Sequence, residues 1–212
     1  MSLFITFEGG EGCGKTTQSR ALRGELMRTS RQAMLIHEPG GTKLGTRISY
    51  LLKWAKSISI SPTAELLLFN ASRANLVDDT IRPALSQGTF VICDRFTDST
   101  IAYQGYGRGL DLQTVRNVCD TATGGLKPHL TILMDIPAEE GLRRKGEKAS
   151  SRSQVDRFEE ADLDFHKRVR QGYLRMAAEE PSRWFVLDAT RPKTEIKKVI
   201  WGKVKALLAE RG

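Results

Sequence analysis

Apolar residues in this chain follow two spacings that alternate from one end to the other. Short runs rich in β-branched and aromatic residues recur at 3–7, 34–37, 90–93, 130–134 and 184–187, each of strand length. The longer segments between them have a helical period, which predicts helices at 15–28, 43–54, 62–78 continuing to 87, 99–104, 112–123, 138–145, 159–180 and 194–210. In the last of these Ile196, Val199, Ile200, Val204 and Leu207 mark one apolar face. Near-continuous apolar runs belong to strands covered on both sides, so the pattern predicts an α/β fold: a five-stranded parallel sheet flanked by helices on both faces. With no internal repeat and no Pro-rich linker, residues 1–212 are read as a single domain. The polar, small-residue stretch GEKASSRSQ at 146–154 is expected to be mobile.

Composition narrows the function classes. No apolar run approaches the ~20 residues of a membrane span, and the N-terminus MSLFITFEGG lacks the basic and apolar regions of a signal peptide. A soluble cytoplasmic protein is expected. Cys13, Cys93 and Cys119 show no C-x-x-C spacing and the three histidines no H-E-x-x-H pattern, which argues against a disulfide framework and a zinc site. Lys plus Arg number 33 against 25 Asp plus Glu, a net +8 that favours anionic partners. Half of that excess lies between Arg143 and Arg157, where six basic residues face two acidic ones. A solvated basic loop and a segment that closes over an anion both fit.

EGGEGCGKTT at 8–17 is the stretch that would hold such an anion. Gly9, four residues, Gly14, Lys15 and Thr16 match G-x-x-x-x-G-K-[ST], between a run ending at Phe7 and a helix starting near Lys15. Gly10, Glu11, Gly12, Cys13, Gly14, Lys15, Thr16 and Thr17 form the expected ATP-binding loop. Its glycines let N–H groups turn inward, Lys15 bridges the β- and γ-phosphates, and Thr16 offers a hydroxyl to Mg²⁺. No N-K-x-D element is present, which favours ATP over GTP. Cys13 reads either as a small filler or as a thiol activated by the helix N-terminus.

Asp94 and Arg95 stand at the carboxyl end of the third run, where ligands of open α/β sheets collect. Arg95 would clamp a phosphate and Asp94 act on Mg²⁺; a structural ion pair is the alternative. Phe69 and Arg73 lie four apart on one helical face, placed either to stack on and hydrogen-bond a base or as a core ring beside a surface charge.

Together these stretches resemble the thymidylate kinase family in its bacterial form. The resemblance rests on FEGGEGCGKTT at 7–17, EPGGT at 38–42, LLLFNASR at 66–73, IRPAL at 81–85, DRFTDSTIAYQGYGRG at 94–109, DRFE at 156–159 and LDAT at 187–190. It implies a P-loop nucleoside monophosphate kinase fold with a mobile lid at about 143–157, ATP and Mg²⁺, dTMP as acceptor, and a homodimer. By the same resemblance Glu11 faces the sugar 3′-hydroxyl of dTMP, Phe69 stacks on thymine and Arg73 reaches a base carbonyl. Arg95 takes the acceptor phosphate, Tyr103 guards the sugar face, Thr100 and Gln104 line the base pocket, and Pro39 forms a wall.

The phosphate loop carries no arginine, so the resemblance assigns the catalytic arginine to the lid, with Arg152 first and Arg144 second. Arg143 or Arg157 would pack on adenine or fix the lid. The chain departs from the family pattern at His37 and Ser49, where arginines are usual, with Arg47 as a substitute for one of them. The alternatives are a kinase of another nucleoside monophosphate and a nucleic-acid-binding P-loop ATPase. Nucleic acid is not expected as a partner, because the chain has no basic-aromatic tract.

Overall fold

β1 (Phe4–Glu8), β3 (Phe90–Asp94) and β4 (Leu130–Asp135) are buried almost throughout, as their unbroken apolar runs require. In the computed structural model, which describes residues 2–55, 57–148, 157–158 and 160–211, they form the centre of a parallel sheet. β2 (Ala33–His37) and β5 (Trp184–Asp188) are its edges, and the order is β2-β3-β1-β4-β5. Both edge strands are less buried.

Alternate side chains of each strand enter opposite layers. Leu3, Ile5 and Phe7 meet Leu22 and Leu26 of α1 (Lys15–Arg28) and Ile196, Ile200 and Val204 of α9 (Lys193–Arg211). On the other face Phe4, Val91 and Cys93 pack on Leu76 of α3 (Pro62–Leu76) and on Val77 and Ile81. Beside them Leu133 and Trp184 pack on Val115 of α6 (Leu112–Thr123) and on Phe165, Val169 and Tyr173 of α8 (Leu163–Glu179). α2 (Lys43–Trp54), capped by the Thr42 hydroxyl, packs against α3.

Three departures from the predicted elements have physical reasons. The helix expected over 62–87 contains a π-helical segment, Val77–Ile81, before the short α4 (Arg82–Ser86); Pro83 has no N–H to continue the ordinary ladder. The helix expected at 99–104 is α5 (Thr97–Thr100) followed by a π-helical segment, Ile101–Gly107. Gly107 sits where a Cβ would come 2.6 Å from the Phe165 ring. The helix expected from 159 starts at Leu163, because extended Asp162 caps it by accepting a 2.6 Å hydrogen bond from the Phe165 N–H.

α7 (Ala138–Lys148) carries Arg143, Arg144 and Lys145 on the helix expected at 138–145 and runs three residues further, so the first part of the segment also read as a solvated loop or lid is helical. It is laced by pairs of Arg143 with Glu140 and Glu147 and of Arg144 with Glu140. Residues 149–156 of the predicted mobile lid, Arg152 among them, lie outside the described residues. Among the described residues no helix is long and apolar enough to cross a membrane.

Candidate active site

The carboxyl ends of β1 and β3 open onto one cleft of about 690 Å³. Residues 9–14 lead from β1 into α1, so the loop wraps the first amides of that helix. Gly9, Gly12 and Gly14 have φ of 136°, 67° and 96°, a region that side chains disfavour. Gly12 is constrained further, since a Cβ there would stand 2.0 Å from the Gly141 carbonyl oxygen of α7. Lys15 Nζ donates to the Gly10 and Gly9 carbonyls at 2.7 and 3.1 Å. The buried Cys13 thiol donates to the Gly10 carbonyl, which fits the filler reading. Thr16 Oγ1 donates to Asp94 Oδ2 at 2.5 Å, so the two expected Mg²⁺ residues are brought together.

Across the cleft Arg95 adopts φ 73°. Its Nη2 donates to Glu11 Oε1 at 2.7 Å and to Tyr103 Oη at 3.0 Å, and Tyr103 Oη donates to the same Glu11 oxygen at 2.7 Å. Its Nη1 donates to the Gly9 carbonyl, Ser99 Oγ and Tyr173 Oη. Burial works against a charged Glu11, but Arg95 and Lys15, helped by the Tyr103 hydrogen bond, outweigh it and hold the carboxyl at about 2. The loop's carboxylate therefore turns away from the phosphate cradle and toward Arg95.

A second compartment lies beyond Arg95. Phe69 and Tyr103 pack on Phe158, with ring centroids 5.6 and 6.2 Å away. Arg73 is 1 % exposed. Its Nε donates to Glu38, Nη1 to Asn70, and Nη2 to the Phe96 carbonyl and Thr100 Oγ1. Gln104 Nε2 donates to Glu65, which fixes the amide's orientation and leaves Oε1 buried with no hydrogen-bond partner among the described residues. Pro39 contributes to the wall.

Of the basic residues singled out in the sequence, Arg144 does not line the cleft: it donates to Glu140 and to the Ala189 carbonyl. Arg47 is exposed and does not line it either. Arg157 donates to the Ala55 and Ile58 carbonyls, fastening the chain after the undescribed segment to the α2–α3 corner. His37, Lys53 and Lys145 do line the cleft. Among the described residues no group of three or more His, Cys, Asp or Glu could hold a metal ion. Thr16 and Asp94 still suit an ion that takes few protein oxygens and draws its remaining ligands from phosphates and water.

The thymidylate kinase family profile matches residues 7–200. The chain belongs to the thymidylate kinase family. A thymidylate kinase of Dehalococcoides mccartyi is 55% identical over 211 residues, covering 100% of this chain and 99% of that protein. One from Deinococcus radiodurans is 49% identical over 210 residues, covering 99% and 98%. The crystal structure of thymidylate kinase from Ehrlichia chaffeensis superposes with a TM-score of 0.75 at 35% identity, over 94% of this chain and 98% of that one. A P-loop nucleoside monophosphate kinase fold thus stands behind the cleft.

Several residues that line or buttress this cleft carried little signal in the sequence. Phe158 lies within DRFE, where a lone ring among charged residues carries no signal until its partners Phe69 and Tyr103 are known. Lys53 and Lys145 were two among many surface cations. Glu8, Ser99 and Tyr173, which surround Arg95, are separated by more than 90 and more than 160 positions from one end of the cluster to the other, as their contacts show. Glu8 itself gave one hint, an acid closing the apolar run FITFE.

Proposed function

We propose that the chain is an ATP-dependent kinase that transfers the γ-phosphoryl group to dTMP, giving dTDP. The observation that carries this reading is the single cleft that holds the phosphate loop on one side and Arg95 with an aromatic-walled pocket on the other. An acceptor phosphate oxygen attacks the γ-phosphorus, a P–O bond forms to it, and the bond to the β-phosphate oxygen breaks to release ADP. No side chain needs to act as a base, because the acceptor oxygen is already ionised. The protein's work is to place two anions in line and offset their repulsion.

Lys15 and the loop amides hold the donor phosphates, and Arg95 holds the acceptor phosphate in exchange for Glu11. The released Glu11 carboxylate accepts the sugar 3′-hydroxyl, and the Tyr103 ring closes the side a 2′-hydroxyl would occupy. Gln104 Oε1, fixed as an acceptor, suits the N3–H of thymine and not the bare N3 of cytosine. Phe69 stacks on the base, with Arg73, Thr100 and Pro39 around its edge. Thr16 and Asp94 would hold Mg²⁺, which when bound screens charge between the two phosphate groups. Lys53 supplies positive charge on the acceptor side and His37 a ring nitrogen for hydrogen bonding, where Ser49 and Arg47 do not line the cleft. Arg152 is proposed to cover the transferred group, with Arg144 second because its hydrogen bonds would first have to break. Homodimerisation through α2 and α3 is supported by the exposed apolar side chains of Tyr50 and Leu67, and sedimentation as a monomer at micromolar concentration would reject it.

The test is ADP release from ATP and Mg²⁺ with dTMP, dUMP, the thymine ribonucleotide, dGMP or CMP. Rapid turnover is expected with dTMP and less with dUMP, since one methyl is worth ~1–3 kcal/mol. Little is expected with the others. Arg152→Ala is expected to lower kcat by roughly 10³ or more; near-wild-type rates in both Arg152→Ala and Arg144→Ala would remove the lid arginine. Turnover stimulated by nucleic acid and by no monophosphate would replace this reading with a P-loop ATPase.

A further inference from the structure

Glu8 ends β1 directly before the first glycine of the phosphate loop, and it is 0 % exposed. A carboxylate in the interior is costly unless both oxygens are satisfied. Oε1 accepts the Phe96 N–H at 2.7 Å; Oε2 accepts Ser99 Oγ at 2.5 Å and Tyr173 Oη at 3.0 Å. The two hydroxyls are also 2.8 Å from each other. Because each hydroxyl has one proton, spent on the carboxylate or on the neighbouring hydroxyl, lone pairs are left for a donor on the far side. That donor is Arg95 Nη1, 3.2 Å from Ser99 Oγ and 3.3 Å from Tyr173 Oη.

The Phe96 amide adds a second constraint. It follows Arg95, whose φ of 73° is strained for a residue with a side chain. Glu8 thus grips the backbone on one side of Arg95 and, through two hydroxyls, the guanidinium on the other. The Nη2 edge is left toward Glu11 and the cleft. Asp98 is the other negative charge that acts on Glu8, and Arg95 is the positive one.

We propose that Glu8 is a positioning residue for the reaction: acting through Ser99 and Tyr173, it holds Arg95 in the orientation that receives the acceptor phosphate. This rests on the reading of Arg95 given above. Glu8→Gln is nearly isosteric, but where the amide nitrogen takes the Oε2 position it would donate to the hydroxyls. Each hydroxyl would then spend a lone pair on the amide and lose the carboxylate that took its proton, leaving that proton to turn toward the guanidinium.

The experiment is equilibrium binding, at pH 8.5 where Glu8 is ionised, of dTMP and of thymidine, which lacks the phosphate, to the full chain and to Glu8→Gln, Ser99→Ala, Tyr173→Phe and Arg95→Ala, with thermal melting of each. Glu8→Gln is expected to melt cooperatively, bind thymidine within about twofold of the parent and lose about tenfold in dTMP affinity, as for one hydrogen bond to a charged group. If Glu8→Gln does not fold, Ser99→Ala and Tyr173→Phe carry the same expectation. Unchanged dTMP affinity, or equal loss for dTMP and thymidine, overturns the proposal. Arg95→Ala separates the two levels. If it fails to weaken dTMP selectively, the reading of Arg95 falls and this inference with it; if Arg95→Ala is selective and the other variants are not, only the role of Glu8 falls.

Discussion

Arg73 shows how one side chain serves both readings that its sequence position leaves open. It is a core residue, fully buried and paired with Glu38 at 2.7 Å, yet it also lines the cleft. Arg73→Ala would strand the Glu38 carboxylate in the interior, and a loss of about 3–5 kcal/mol is expected in urea denaturation at neutral pH. A loss below ~1 kcal/mol would show that Glu38 is satisfied without it.

The two acids of the loop region predict opposite pH effects. Glu11 is held at about 2, below the ordinary 4.5, by Arg95 and Lys15 against the effect of burial. Its contribution to stability is present above 4.5 and is lost as pH falls toward 2. Burial, reinforced by Asp98, lifts Glu8 to about 7. Between 4.5 and 7 the folded chain keeps the Glu8 proton longer than the unfolded chain does, so this group makes stability fall as pH rises through that window. Melting temperatures across pH 3 to 8 should lose their acid limb in Glu11→Gln and their near-neutral slope in Glu8→Gln. Unchanged profiles in either variant would contradict the corresponding assignment.

Among the elements, helices and strands were legible wherever the apolar period was long and regular, as in α1, α2, α6 and the five strands. They were less legible where a local hydrogen bond or a tight contact competes with the period. Asp162 trims the start of α8, and Gly107 against Phe165 accompanies the π-helical turns that carry Tyr103 and Gln104. The segment after 156 is the least legible, because its role depends on docking. Arg157 holds the α2–α3 corner, and Phe158 closes the aromatic wall beside Phe69 and Tyr103. Phe158→Ala is expected to raise the KM for dTMP about tenfold, within the ~1–3 kcal/mol of an aromatic stacking surface, and to leave the KM for ATP unchanged. Equal increases in both constants would instead make Phe158 a support for the whole lid.

At the scale of the molecule, the layering was readable because central strands of a parallel sheet are apolar on both sides. The strand order β2-β3-β1-β4-β5 was not, since period and composition carry no record of which strands pair. The cleft is a product of that order. β3 beside β1 brings Asp94 to Thr16 and Arg95 to Glu11. The phosphate loop announced itself in sequence because its geometry is local, whereas the Glu8 cluster is assembled from β1, α5 and α8 and left only an acid at a strand end. The loop also rests on α7 with no space between: a Cβ on Gly12 would meet the Gly141 carbonyl, and a Cβ on Gly141 would come 2.4 Å from the Glu11 carbonyl. Neither glycine can therefore take a side chain alone: a larger residue at either one has to prise loop and helix apart, so the two positions fail together.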